Sequence, residues 1–257
     1  MAPRRRVEQI PPGEPMCTLA FVVPPPGGVL QVAANRDEFL ARPAAPPERS
    51  ADGRWLAPRD LQAGGTWLGL NAAGLFVGVT NRAGRPPDRS RRSRGLLVLE
   101  ALESPDAESL HRRLAGLDAC AYNGFHLAYA DGAFAGVTWG DGERLSQEQL
   151  GPGVHVLTEQ SLGADDDSPR RRLVEERVKP GSVLGVEGWL GLLSVHGPEP
   201  RAGTCVHADA VGYGTRSAFV LHRAPSAERS VCAWTESRPC TTAARDGTPL
   251  LRSIGRW

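Results

Sequence analysis

Apolar segments in this chain come as short pairs, each folded about a turn rich in proline or glycine. Residues 17–36 read CTLAFVV, then PPPGG, then VLQVAANR, a hairpin whose first strand begins at Cys17. Residues 66–81, TWLGLNAAGLFVGVTN, hold a tight turn at Asn71, Ala72, Ala73 and Gly74 between two further strands. FHLAYAD and AFAGVTW flank Asp131-Gly132 as a third pair. The Pro- and Arg-rich stretch between the first two pairs reads as loop, and so does the arginine-rich stretch 82–94.

Helical signals fall between these pairs and the end of the chain. LLVLEAL is an apolar helix candidate, and Ser104-Pro105 supplies an N-cap and first-turn proline for a helix with Leu110 and Leu114 on one face. Ser168-Pro169 opens another helix at RRRLVEERV, and helical residues recur near 187–195 before closing strands at SAFVLHR and SVCAWTE. Antiparallel-looking pairs, then helices, then strands again favour an α+β fold over a parallel βαβ one. Without a repeat, a low-complexity block or a composition shift, residues 17–257 read as a single domain. Residues 1–16 then read as a disordered leader or a mis-assigned start.

Composition narrows the function classes. Thirty Lys+Arg against 29 Asp+Glu leave a formal charge of +1, which argues against a nucleic-acid partner. The cationic side is almost all arginine, with Lys179 the one lysine. Hydrophobic residues at 40% and six tryptophans argue against disorder. No apolar run approaches the ~18–20 residues of a membrane-spanning helix, so membrane insertion is not expected. Five cysteines, odd in number and without a CxxC pair, suggest reduced thiols. The first sixteen residues carry Arg4, Arg5 and Arg6 but no apolar stretch, unlike a secretory signal. A cytoplasmic location is the expectation.

Met16-Cys17 is the most informative dipeptide. A start at Met16 followed by methionine removal, or cleavage of a propeptide, would put a thiol and a free α-amine on Cys17. An α-amine with a pKa of ~7.7–8.0 is a general base near neutral pH. The neighbouring thiol then becomes an activated nucleophile without a separate histidine. Alone, Cys17 reads as a small buried residue heading a core strand. Further along, Asn35, Arg36 and Asp37 follow the apolar run VLQVAA, at what reads as a strand end displaying polar groups.

Taken together, MCTLAF…LQVAANRDEFLARP resembles the NRDE family, also called the transport and Golgi organization protein 2 family. The segments GGTWLGLNAAGLFVGVTNRAG, SRGLLV, YNGFHL and YGTRS are similar to that family in the same order and extend the resemblance past Arg216. The resemblance implies a four-layer αββα sandwich of the N-terminal-nucleophile hydrolase type, related to choloylglycine hydrolases and penicillin V acylases. It implies Cys17 as nucleophile, with Asn35 and Asp37 as an Asn-x-Asp element. It also implies a Gly69-Leu70-Asn71…Gly74-Leu75 turn followed by Asn81, and Arg216 as a late site arginine. Asp37 would hold the α-ammonium or thiol proton, Arg216 would favour the thiolate, and Asn81 would stabilise an oxyanion. Arg36, Trp67, Arg85 and Arg94 are the substrate-binding candidates.

One departure bears on turnover. Where a later oxyanion asparagine is expected, this chain reads Val156-Leu157-Thr158-Glu159, and an ionised carboxylate repels an oxyanion. Arg85, Arg89, Arg91, Arg92 and Arg94 crowd the loop after Asn81, either as a solvated face or as an anion-recognition rim. Cys205-Val206-His207 with Asp209 offers metal donors but no convincingly spaced fourth ligand, so no metal site and no obligatory cofactor are expected. Two functions follow. One is a cysteine amidohydrolase cleaving a small amide or acyl compound through a Cys17 thioester. The other is a non-catalytic carrier for haem or acyl-lipid ligands, as the family's association with haem trafficking implies.

Overall fold

A computed structural model describes residues 17–163, 168–179, 181–199 and 202–257. The leader 1–16, including Met16 and its arginines, lies outside the described residues. In chain order the strands are β1 (Thr18–Val23), β2 (Leu30–Phe39), β3 (Ala44–Arg49), β4 (Trp55–Asp60), β5 (Leu68–Asn71), β6 (Phe76–Asn81) and β7 (Phe125–Ala130). They continue as β8 (Ala135–Gly140), β9 (Leu145–Gln149), β10 (Gly153–Leu157), β11 (His207–Ala208), β12 (Tyr213–Arg223), β13 (Val231–Trp234) and β14 (Arg245–Asp246). The helices are α1 (Arg94–Ala101), α2 (Ala107–Leu114), α3 (Pro169–Arg177), α4 (Val186–Leu193) and α5 (Thr248–Ile254).

Among the described residues the strands form two antiparallel sheets. One runs β10-β1-β2-β12-β13-β14 with β11 paired to β12, and the other runs β3 through β9 in sequence order. Leu19, Phe21, Leu30, Val32 and Ala34 of the first sheet pack against Leu68, Leu70, Phe76 and Ala128 of the second. The alternate positions Ala20, Val22 and Ala33 face outward and meet Val174, Trp189 and Leu193 of α3 and α4. Leu75, Val77, Leu127 and Tyr129 meet Leu97, Val98, Leu110 and Leu114 of α1 and α2 on the far side of the second sheet. Both faces of the central strands are therefore buried, which is why TLAFVV is continuously apolar rather than alternating. The result is a four-layer αββα sandwich, the architecture that the resemblance implies.

Burying the apolar side chains of such a core stabilises by roughly 1.5–3 kcal/mol each. Fully buried Trp189 donates its indole N–H to Gln31 Oε1 at 3.1 Å. The β1–β2 hairpin closes through Pro24–Gly28, with Gly27 at φ +80°, and pairs Thr18 with Asn35.

Three local expectations are corrected. The stretch between the first two pairs is not all loop, because it contains β3 and β4. β3 tolerates Pro46 and Pro47 because it is an edge strand with a register shift between Ala45 and Glu48. The helix after Ser104-Pro105 starts later than its proline suggests: α2 is capped by Asp106, whose carboxylate accepts from Ser109 N at 2.7 Å. Asn35, Arg36 and Asp37 do not follow a strand end. They lie inside β2, which continues to Phe39 because the long β12 pairs with it from Arg223–Leu30 to Tyr213–Phe39.

Candidate active site

Cys17 immediately precedes β1, beside the segment of β2 that carries Asn35, Arg36 and Asp37. In a strand, successive side chains leave on opposite faces. Arg36 follows Leu30, Val32 and Ala34 onto the face between the sheets, where a cleft of about 690 Å³ opens. Cys17, Arg36, Trp67, Asn81 and Arg94 all line this cleft. The Arg36 guanidinium lies 4.4 Å from the Trp67 ring centroid and 3.3 Å from Asp60 Oδ2, with Glu38 at 3.8 Å. Arg42 reaches the same two carboxylates, at 2.8 Å for Asp60 and 3.5 Å for Glu38. Arg94, on the first turn of α1, donates to the Gly124 carbonyl at 2.7 Å. Burial pulls the Arg94 pKa down to about 10, although Cys17 and Glu38 act in the opposite direction.

The Cys17 thiol sits 4.0 Å from the Asp37 carbonyl oxygen. Burial, reinforced by the Asp37 charge, pushes it up to about 12, and the nearby Arg36 does not offset that. As an internal residue Cys17 is thus held as a neutral thiol. Among the described residues lining the cleft there is no histidine to take its proton.

Asn35 and Asp37 point the other way, into the helix layer. Asn35 Nδ2 donates to the carbonyls of Leu193 at 2.8 Å and Thr204 at 2.7 Å. Asp37 Oδ1 accepts from Thr215 Oγ1 at 2.5 Å, and its Oδ2 lies 3.6 Å from Arg170 Nη1. Burial raises the Asp37 carboxyl from 3.8 to about 7, against the pull of Arg170 and the Thr215 hydroxyl. Arg170 itself is fully buried. It bonds Thr18 Oγ1 at 3.2 Å and pairs closely with Glu159 Oε2. Glu159 is therefore neutralised behind the sheet rather than aimed into the cleft. Sequence reasoning misses Arg170, because one residue in an Arg-Arg-Arg run carries no mark of burial.

The remaining candidates lie apart. Arg216 sits at the register shift between Thr215 and Ser217, which turns its side chain to bond the Leu40 carbonyl. It lines a neighbouring cavity of about 310 Å³ that shares Arg36 and Trp67 with the main cleft. Arg85 is exposed and pairs with Glu143 at 2.6 Å, outside the cleft lining. Arg91 and Arg92 do line the rim, yet both are engaged. Arg91 donates to the Tyr122 and Gly142 carbonyls at 2.8 and 2.9 Å, and Arg92 pairs with Glu100. Asn71 ties down its turn, donating to the Leu102 and Ser104 carbonyls and accepting from the amides of Ala73 and Leu75.

Residues 16–180 match the family model described as Transport and Golgi organisation 2. The chain belongs to that family. A homologue of Transport and Golgi organization protein 2 from Bos taurus is 39% identical over 111 residues, and one from Homo sapiens is 36% identical over 107 residues. Each match spans 40% of this chain and 38% of the relative, so the alignment covers well under half of the curated relatives' length. Among solved structures, a cysteine-to-alanine variant of the conjugated bile acid hydrolase from Clostridium perfringens superposes with a TM-score of 0.53. That match covers 93% of this chain and 95% of that one at 11% identity, a likeness of fold.

The structure also assembles a group that sequence spacing misses. Cys205 and His207 are joined by His196 and Cys240, so the lack of a convincingly spaced fourth ligand holds for the sequence order and not for the fold. A Cys-x-His pair is the one visible signal. The two partners come from 9 residues before and 33 residues after it in the chain, and no local motif announces them. No helix among the described residues is long and apolar enough to cross a membrane.

Proposed function

We propose that this family member is a cysteine amidohydrolase that becomes active when Cys17 is the N-terminal residue, cleaving a small amide with an anionic group. The observation that carries the reading is the composition of the cleft: one thiol beside Arg36, Arg94 and Asn81, with no imidazole among the described lining residues. A base must then come from elsewhere, and the α-amine of a free Cys17 is the nearest one the chain can provide. The amine takes the thiol proton as sulfur attacks the amide carbon, and passes it to the departing amine. Water then releases the acyl group from the thioester. Arg36 and Arg94 supply charge for a carboxylate or phosphate on the substrate. The fold likeness to a conjugated bile acid hydrolase is compatible with this chemistry.

The test compares three proteins on a panel of N-acylated amino acids: a chain starting at Cys17, the full chain, and the Cys17→Ala variant of the former. Hydrolysis by the first should exceed both others by about 100-fold or more. Equal activity after Cys17→Ala would remove the mechanism.

A second reading, carriage of haem or an acyl ligand without turnover, is favoured by one observation. In the uncut chain the Cys17 thiol is pushed up to about 12 and does not ionise at neutral pH. Haem titration of the full chain, read by the shift of its absorption band and its loss in Arg94→Gln, tests this reading. No shift at micromolar haem ends it.

A further inference from the structure

Away from the cleft, four metal-compatible side chains converge from three segments of the chain. His196 follows α4, Cys205 and His207 lead into and begin β11, and Cys240 lies between β13 and β14. One donor atom from each lies within 4.8 Å of every other. Cys205 Sγ is 3.5 Å from Cys240 Sγ and 3.5 Å from His207 Nε2, and His207 Nε2 is 3.3 Å from Cys240 Sγ. The His196 ring stands edge-on to that of His207, centroids 4.5 Å apart.

A tetrahedral zinc ion binds sulfur at ~2.3 Å and imidazole nitrogen at ~2.0–2.1 Å, which sets S···S near ~3.8 Å and S···N near ~3.5 Å. The three spacings among Cys205, His207 and Cys240 lie close to the edges of that tetrahedron, with the His196 donor within 4.8 Å of each. They do not match a disulfide, whose sulfurs stand at ~2.05 Å, and both cysteines are free.

The surroundings orient the donors. His207 presents Nε2 to the thiols while its Nδ1 faces Asp209 Oδ2 at 4.0 Å, and Asp209 is held in turn by Arg238. This places a carboxylate on the outer side of the ring, at charge-pairing rather than hydrogen-bonding distance. Backbone bonds hold the segments. Cys205 N donates to the Val195 carbonyl at 3.0 Å, and the amides of Thr241 and Thr242 donate to the Arg238 carbonyl at 3.1 and 3.0 Å. Two thiolates and two imidazoles suit a borderline-soft dication, and two thiolate charges neutralise it. All four positions are filled by protein, the pattern of a structural rather than a catalytic ion.

We propose that His196, Cys205, His207 and Cys240 form a tetrahedral zinc site that fastens the Cys240 loop and the Cys205 segment to the edge of the first sheet. The site is independent of the Cys17 chemistry but touches its support. Val206 N donates to Thr215 Oγ1 at 2.8 Å, and that hydroxyl donates to Asp37.

Metal analysis of the untagged full chain, purified without chelator, should give about one zinc per chain. Replacement by cobalt should produce thiolate-to-cobalt charge transfer and the visible bands of a four-coordinate ion. Cys240→Ser should retain less than about a tenth of the metal. Because a cysteine variant can also misfold, His196→Ala, at an exposed position, serves as the second variant. With circular dichroism unchanged, its zinc affinity should fall about tenfold or more. Zinc below about a tenth per chain after reconstitution with excess metal would overturn the proposal. So would full zinc retention in both ligand variants, or a Cys205–Cys240 disulfide in the purified protein.

Discussion

Asn35 and Asp37 leave β2 on the helix side, whereas Arg36 leaves it on the side between the sheets, and the two environments differ in kind. On the helix side the polar groups are buried and engage one another: Asn35 Nδ2 bonds two carbonyls, Asp37 Oδ1 bonds Thr215 with Oδ2 near Arg170, and Arg170 reaches Glu159 and Thr18. Between the sheets, Arg36 shares its carboxylates with Arg42 and stacks on Trp67 beside a cleft large enough for a small ligand. One face is therefore framework that positions the strand, and the other is the wall of an open cleft. Adjacent residues of one motif thus do different work because a strand alternates its side chains.

The sharpest way to break this contrast is Arg170→Met. It strands Glu159 and Asp37 in the helix layer without their cation, and should lower unfolding stability by about 3–5 kcal/mol in a urea titration. A loss below about 1 kcal/mol would mean that water reaches this face and that the contrast is false.

Asp37→Asn tests the same face through pH. With its carboxyl raised from 3.8 to about 7, the folded chain keeps a proton that the unfolded chain releases across that range. Folding stability contributed at Asp37 therefore falls as pH rises from about 4 to 7, and the asparagine variant should lose that slope. Buried His126, lowered from 6.5 to about 4 by burial and by Arg82, slopes the opposite way, because acid favours its unfolded state. Both proteins share His126, so the difference between their denaturation midpoints across pH isolates Asp37. Parallel curves would assign Asp37 an ordinary carboxyl.

The smallest effect is expected between the sheets. Arg42→Gln leaves Arg36 in place against Asp60 and Glu38, and should cost about 0–1 kcal/mol by the same titration. A loss comparable to that of Arg170→Met would make the cleft wall framework as well.

Much of the architecture is legible in the order of residues. The Pro24–Gly28 and Asn71–Gly74 turns, the Asp131-Gly132 hairpin and the Ser168-Pro169 helix start are all where local turn and cap chemistry places them. β3 and β4 are hidden because Pro46 and Pro47 read as loop unless the strand is known to be an edge. At the site, Cys17, Arg36, Trp67, Asn81 and Arg94 do share one cleft. Arg85 and Arg216 do not, because an exposed carboxylate and a β-bulge redirect them.

By itself the sequence determined the α+β class, the hairpins and the family, since each rests on patterns within a few residues or on an ordered series of motifs. Only the tertiary structure decided which side of β2 each polar residue faces, that Glu159 is neutralised by Arg170, and that Cys240 and His196 reach Cys205 and His207. Strand register and loop closure set those relations, and they join residues far apart in the chain that no local spacing encodes.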